Sequence, residues 1–493
     1  MRKRLGALIA AAIVPALACA IPAHASSGQA GEDGGQAGQH HPYTLVDPGT
    51  FGGAQAFLNL PAIPFTGPGG LLGTADTTVR DPDYPNFNPF IVGFADRHLV
   101  HAFAWKNGHL RDLGALPGKH SSAVFEVNDH GVGVGMSDTA ITDPYTHWPA
   151  DHAVLFKNGR VTDLGTLRGG YESQANDIND RGQVSGFASN GKKDPYSILG
   201  WGTQTRSFVW QHGVLRDIGT LGGPDALSVT MNASGEIAGQ SYATATANAV
   251  TKVPTQDPFL WQNGHMTDLG TLGGTFGVAN WLNDAGEVVG QSNLAGDQSG
   301  HPFLWRNGTM TDLGTLGGDN GYANWVSDRG SNVAGDAQTS DGAFHAFWWH
   351  HGTMTNLPPT GGAPWSFAQG VNDSGLVVGG DSDTKGQELA AVAWAAGRSY
   401  DLNTLIAPSR LHLVIAEYVD NRGDIVGHGV LPNGDQRVFL LVRNRSVPLP
   451  SKAPSAQPLP ATGPAGQSTA AIMAVNAARR GGIATAIRQL WNG

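Results

Sequence analysis

One aspartate recurs along the chain at Asp112, Asp163, Asp217, Asp268, Asp312 and Asp401, each followed by leucine or isoleucine. Carboxylates repeated in this way could hold metal ions or serve acid–base chemistry. A single active site needs asymmetry, however, and these residues obey a period. They read as turn residues whose side-chain oxygens cap backbone amides, while the glycines of LGG and NDxG supply positive φ.

The feature that breaks the period is a set of three insertions: RDPDYPNFNPF (80–90), TDPYTHW (142–148) and KDPYSILGWG (193–202). Each contains Asp-Pro and aromatic residues. Tyr84, Tyr145, Trp148, Tyr196 and Trp201 are the candidate binding residues, an aromatic platform for sugar rings or a peptide. The competing reading is that these rings pack on one another and plug an opening.

Other chemistry finds little support. The chain has no HExxH, GxSxG, P-loop or EF-hand pattern. Gly131-Val132-Gly133-Val134-Gly135 is a weak nucleotide fingerprint, but it lies in a strand after a turn, with no helix following. Asp81, Asp83, Asn86 and Asn88 offer clustered oxygens for calcium, and side-chain turns between prolines account for them equally. His350-His351 falls in a hairpin turn, where exposure explains it without a metal. No catalytic residue, metal site or cofactor is assigned.

These residues must be positioned by a repeated unit. PFLWQNGHMTDLGTLGG (258–274) and VANWLNDAGEVVGQSN (278–293) are followed by PFLWRNGTMTDLGTLGG (302–318) and YANWVSDRGSNVAGDAQ (322–338). An aromatic column at Trp105, Phe156, Trp210, Trp261, Trp305, Trp349 and Trp394 sets the spacing at 44 to 54 residues, a propeller-blade period. The column reads as packing, and truncating a buried member to Ala is expected to cost ~3–5 kcal/mol. PFLW and HMTDL flank Asn263-Gly264, a two-residue hairpin signal; VANWLN and EVVGQS flank Asp284-Ala285-Gly286. Alternation has period two, which predicts four strands per unit and no helices. Tyr43 to Asp47 matches the outermost strand, whereas Val438 to Leu441 matches the strand before it and lacks a successor. Pairing the two closes a ring and removes open edges. The expected fold is an all-β propeller of about eight four-stranded blades. The first (54–114) is degenerate, and seven is the alternative count.

The units resemble the bacterial extracellular HAF repeat family. The resemblance rests on His101-Ala102-Phe103, His345-Ala346-Phe347, the DLGTLGG runs and the NDxGxVxG runs, and covers roughly residues 43–442. It implies export and a repeat fold, and carries no catalytic residues.

The ends suggest export. Arg2-Lys3-Arg4, an apolar stretch from Leu5 to Ala18 and Ala23-His24-Ala25 form a secretory leader cleaved after Ala25. The alternative, lipidation at Cys19, lacks the bulky aliphatic residue expected where Ala16 stands. Cys19 is the only cysteine, so the mature chain has no thiol. The domain reading is 1–25 leader, 26–41 Gly/Ser/Gln linker, 42–450 propeller and 451–493 Pro/Ala-rich tail with a weak helix. Leu459 to Gly463 spells LPATG, but the continuation through Arg479-Arg480 is not a sorting signal.

The formal charge is −10, or −13 once Arg2, Lys3 and Arg4 leave with the leader; this argues against nucleic acid or anionic membrane as partner. No later segment spans a bilayer. The expectation is a secreted or envelope-associated monomer that binds an extracellular glycan or protein. The alternatives are a propeller enzyme acting on polysaccharide and a purely structural envelope component.

Overall fold

The structure, a computed structural model, describes residues 41–451 except 60–63, 66–68, 89, 92–96, 119, 250 and 331. The leader, Cys19, the linker up to residue 40 and the tail beyond residue 451 lie outside the described residues.

Period-two alternation is realised as antiparallel meanders. Six sheets have four strands each, and an eight-stranded sheet comprises two further four-stranded units joined by one parallel bridge between Gln256 and Phe276, so the described residues form eight four-stranded blades. Within blades 1 to 7 the strands are paired in chain order from first to fourth. Blade 1 comprises Gly52–Phe57, Gly70–Arg80, His98–Lys106 and His109–Gly114. Blades 2 to 7 begin at Ser122, Ser173, Ala226, Gly273, Gly317 and Trp365. Blade 8 takes His412–Val419, Ile425–Val430 and Gln436–Arg443 from the C-terminal end and Tyr43–Val46 from the other. Tyr43 pairs with Arg443 and Val46 with Leu440, antiparallel, as the closure argument expects. The only helical element among the described residues is a 3-10 turn at Leu402–Thr404. None is long and apolar enough to cross a membrane.

The recurring residues have separate tasks. Asn263 (φ 51°) and Gly264 (φ 86°) make the hairpin turn, and Asn107, Asn158 and Asn307 repeat it. In the NDxG turns, Asn283 Oδ1 accepts from Ala285 N–H and Glu287 N–H, while its Nδ2 donates to Ser327 O of the next blade at 2.9 Å. Asn128, Asn232 and Asn372 donate across their own blade boundaries in the same way. The adjoining acid completes the belt: Asp284 Oδ1 accepts from Ala233 N–H and Asp373 Oδ1 from Arg329 N–H. One motif thus caps its own turn and fastens adjacent blades.

The aromatic column is mostly half-buried, with Phe156 and Trp394 its buried members. Deeper packing falls to the residue two positions earlier: Phe103, Phe208, Phe259, Phe303, Phe347 and Phe439 are fully buried. The glycine of V-x-G admits this ring. A Cβ on Gly290 would lie 1.9 Å from Val278 O and 3.0 Å from the Phe303 ring. Phe303→Ala is therefore expected to lower unfolding free energy by about 3–5 kcal/mol, read as a fall in the urea midpoint at unchanged m-value.

Candidate functional site

In a four-stranded meander, the turns after the first and third strands share one end of the blade, and the loops after the second and fourth share the other. The three Asp-Pro insertions follow second strands of blades 1, 2 and 3, so topology puts them on one face. Their construction repeats. Asp81, Asp143 and Asp194 are buried, and each Oδ1 accepts from the N–H two residues on, at Asp83, Tyr145 and Tyr196 (2.8, 2.7 and 2.9 Å). The backbone N–H groups of Asp81, Asp143 and Asp194 close the loops by donating to Arg97 O, Trp148 O and Gly202 O, respectively. Asn88 Oδ1 likewise accepts from Phe90 N–H. Two oxygens of the first insertion's cluster, Asp81 Oδ1 and Asn88 Oδ1, therefore engage backbone in turns.

The insertions touch one another. Asn86 Nδ2 donates to His147 O (2.8 Å), Asn88 Nδ2 to Pro149 O (3.0 Å) and Tyr145 Oη to Gly191 O (3.4 Å). Phe90 of blade 1 meets Trp201 of blade 3 edge-on, with ring centroids 5.8 Å apart.

The five candidate residues divide. Tyr84 and Tyr145 are 38 % and 37 % exposed. Trp148 and Tyr196 are half-buried. Trp201 is not a surface residue: at 3 % exposure it packs with Phe187, Ile198, Leu199, Leu227 and Tyr242. The correction has a plain cause. Ile198 and Leu199 precede it and turn inward with it, so the third insertion carries its own small core. The Arg97 guanidinium lies 5.6 Å from the Tyr84 ring centre, and Tyr171 meets Tyr145 edge-on at 6.4 Å. Sequence reasoning passed over both Arg97 and Tyr171. Tyr171 lies two residues before Ser173, the first residue of blade 3's first strand.

Paired carboxyls anchor this face. Glu172, buried, accepts at Oε2 from Asp151 N–H (2.9 Å) and from Asn88 Nδ2 (3.2 Å). Burial, with Asp143 beside it, pushes its carboxyl up to about 9, which favours the protonated form at neutral pH. Asp225 repeats the device one blade on. It accepts from Ile198 N–H and Thr205 N–H and meets Asp194, and burial together with Asp194 holds its pKa well above the usual range. The first and third insertions are thus tied to these acids, Asn88 Nδ2 donating to Glu172 and Ile198 N–H to Asp225.

The histidines of the HAF runs answer to the recurrent aspartates. His101, His152 and His301 each place Nδ1 at 2.9 Å from Asp112, Asp163 and Asp312, respectively. Arg206 takes the histidine's place beside Asp217, and Asn356 takes the aspartate's place beside His345. The same aspartates cap Gly114, Gly165, Gly219, Gly270 and Gly314 N–H, as the turn reading requires. Although each pair has the form of a catalytic dyad, it is a strand-to-strand tie repeated from blade to blade.

A buried variant closes the ring. His428 Nδ1 donates to Glu417 at 2.8 Å, and Nε2 accepts from Leu58 N–H at 2.8 Å, joining blade 8 to the segment after the first strand of blade 1. With both nitrogens engaged, this imidazole is arranged to hold structure and not to exchange protons with a ligand.

No family model matches the chain, and no curated protein matches it. Solved propeller structures do. The β-propeller domain of the trilobed protease from Pyrococcus furiosus is 8 % identical over 71 % of this chain and 98 % of its own, with a TM-score of 0.40. A prolyl endopeptidase is 11 % identical over 80 % of this chain and 55 % of its own, at 0.43. XC5397 from Xanthomonas campestris, described as a gluconolactonase, is 9 % identical over 83 % and 99 %, at 0.26. At such identities the likeness concerns the fold alone.

Proposed function

We propose that this chain is an exported binding scaffold, a HAF-repeat propeller whose recognition surface is the loop face over blades 1 to 3 and whose ligand is a glycan or a peptide. The observation that carries the reading is the junction of three consecutive insertions, the first hydrogen-bonded to the second through Asn86 and His147 and in ring contact with the third through Phe90 and Trp201, with the Tyr84 and Tyr145 rings left outward. Blades 5 and 6 have only short turns at this position, AGDQ (295–298) and SDG (340–342). Binding residues concentrate on loops held by a rigid frame, and exposed tyrosines offer both a flat apolar face and a hydroxyl.

The test is the triple variant Tyr84→Ala, Tyr145→Ala, Trp148→Ala, compared with wild type on a glycan array and on cell-wall polymers. Loss of three stacking contacts is expected to weaken retention at least about ten-fold. Trp201 is kept, because its removal would damage the core. Equal retention by the variant of anything the wild type binds would refute the platform.

A further inference from the structure

On the opposite face, between blades 5 and 6, lies a cleft of about 630 Å³. One wall comes from the third and fourth strands of blade 5. Leu304, Arg306, Thr309 and Thr311 alternate along the two strands, so all four point the same way. The other wall is blade 6: Arg329 and Gly330 from the first turn, Trp349 from the third strand, and His351-Gly352 from the hairpin turn.

We propose that this cleft is a saccharide-binding site for a neutral sugar unit stacked on Trp349, with its hydroxyls read by Arg306 and Thr309 on one side and by Arg329 and His351 on the other. The charges select the class of ligand. Arg306 Nη1 stands 3.2 Å from Glu287 Oε1, and Arg329 Nε stands 3.5 Å from Asp373 Oδ2. Each guanidinium has its own carboxylate, so the cleft lacks the excess positive charge that would draw a polyanion. An arginine fork held by its own carboxylate instead offers paired donors, and the exposed Thr309 and Thr311 hydroxyls beside it offer acceptors, which neighbouring sugar hydroxyls require.

The geometry is prepared before any ligand enters. Glu287 is 5 % exposed and is held by Asn283 Nδ2 at 2.9 Å, whereas Arg306 is 58 % exposed and reaches outward. His351 packs on His350 at 4.0 Å, which in turn stacks on Trp348 at 5.2 Å, fixing the lip of the cleft. Gly330 keeps the floor open, since a Cβ there would fall 1.9 Å from Glu287 Oε2. The half-buried Trp349 supplies the apolar face, and Thr309 and Thr311 are exposed beside it. The neighbouring boundary of blades 4 and 5 lacks this set, with Gln262 at the Arg306 position, Ala285 at that of Arg329 and Asn307 at that of His351.

The test is saturation-transfer NMR of the full chain with D-glucose, D-galactose, D-mannose, L-fucose and N-acetyl-D-glucosamine, each at millimolar concentration. At least one sugar is expected to receive saturation, and Trp349→Ala and Arg306→Lys are each expected to reduce it at least ten-fold. Arg306→Lys keeps the charge and loses the fork, and its exposed position leaves the fold intact; the urea midpoint checks both variants. The loop-face triple variant should retain the signal, which separates this site from the platform. The proposal is overturned if no sugar of the five receives saturation, if Arg306→Lys retains it, or if the loop-face variant abolishes it.

Discussion

A variant beginning at Thr50 is expected to lose at least about 5 kcal/mol of unfolding free energy, and a synthetic peptide of residues 41–49 added in trans should restore much of it. Tyr43, Leu45 and Val46 bury their side chains wholly or in part against blade 8, at about 1.5–3 kcal/mol for each fully buried side chain. Removing the strand also leaves Leu440 to Arg443 as an unpaired edge, since Tyr43–Val46 occupies that edge in register. Closure has further parts: Arg443 Nη1 donates to Pro42 O, and its guanidinium sits 5.2 Å from the Tyr43 ring centre. Tyr43→Phe is the control. The Tyr43 hydroxyl is buried without a hydrogen-bond partner, so its loss should be neutral or slightly stabilising. Unchanged urea midpoints for the shortened variant would mean that the ring does not depend on its seal.

How much of this was legible follows from whether a residue obeys the repeat. The closure strand could be found because Tyr43 to Val46 carries the pattern of the outermost strand without a hairpin partner before it. The turn role of Asp112 and its counterparts followed from period alone, and their caps on the i+2 amide agree. The histidine beside each aspartate was readable but unread. His101 and Asp112 are eleven residues apart across a two-residue hairpin, which brings them to the same end of adjacent strands. Blade 1 was hard to see, because its first two strands are separated by the Pro- and Gly-rich stretch 58–69 and lack the NDxG turn. Trp201 misled because SILGWG reads as surface loop, and only the fold reveals that Phe90, from two blades away, covers it. The Asp143–Glu172 pair was invisible for a related reason: the two acids are distant in sequence and meet only because adjacent blades pack.

That pair sets the second large effect, a loss of stability toward alkaline pH. Glu172 keeps its proton in the folded protein up to about pH 9 but releases it near 4.5 when unfolded. Between those values the unfolded chain binds fewer protons, so stability is full below about pH 4.5 and falls as pH rises through the window. One proton corresponds to about 1.4 kcal/mol per pH unit across that window. Asp177, Asp381 and Glu388, each raised by burial to about 7, act in the same direction over a shorter range. Asp112 and Asp163 act oppositely. Burial raises them, but the hydrogen bond from His101 or His152 prevails and holds each below its ordinary value, so their contribution is lost only as pH falls below about 4. The optimum therefore lies on the mildly acidic side. Glu172→Gln isolates the leading group, because the amide can still accept from Asp151 N–H and can donate to Asp143 without a titrating proton. In urea denaturation from pH 5 to 9, the variant's stability should fall by about 1.4 kcal/mol per pH unit less than that of wild type. Parallel curves would show that Glu172 is ionised in the folded protein. Because Asp143 caps Tyr145 N–H, a charge gained by Glu172 beside it falls next to the loop that carries one of the two exposed tyrosines, and ligand retention on that face should weaken over the same alkaline range.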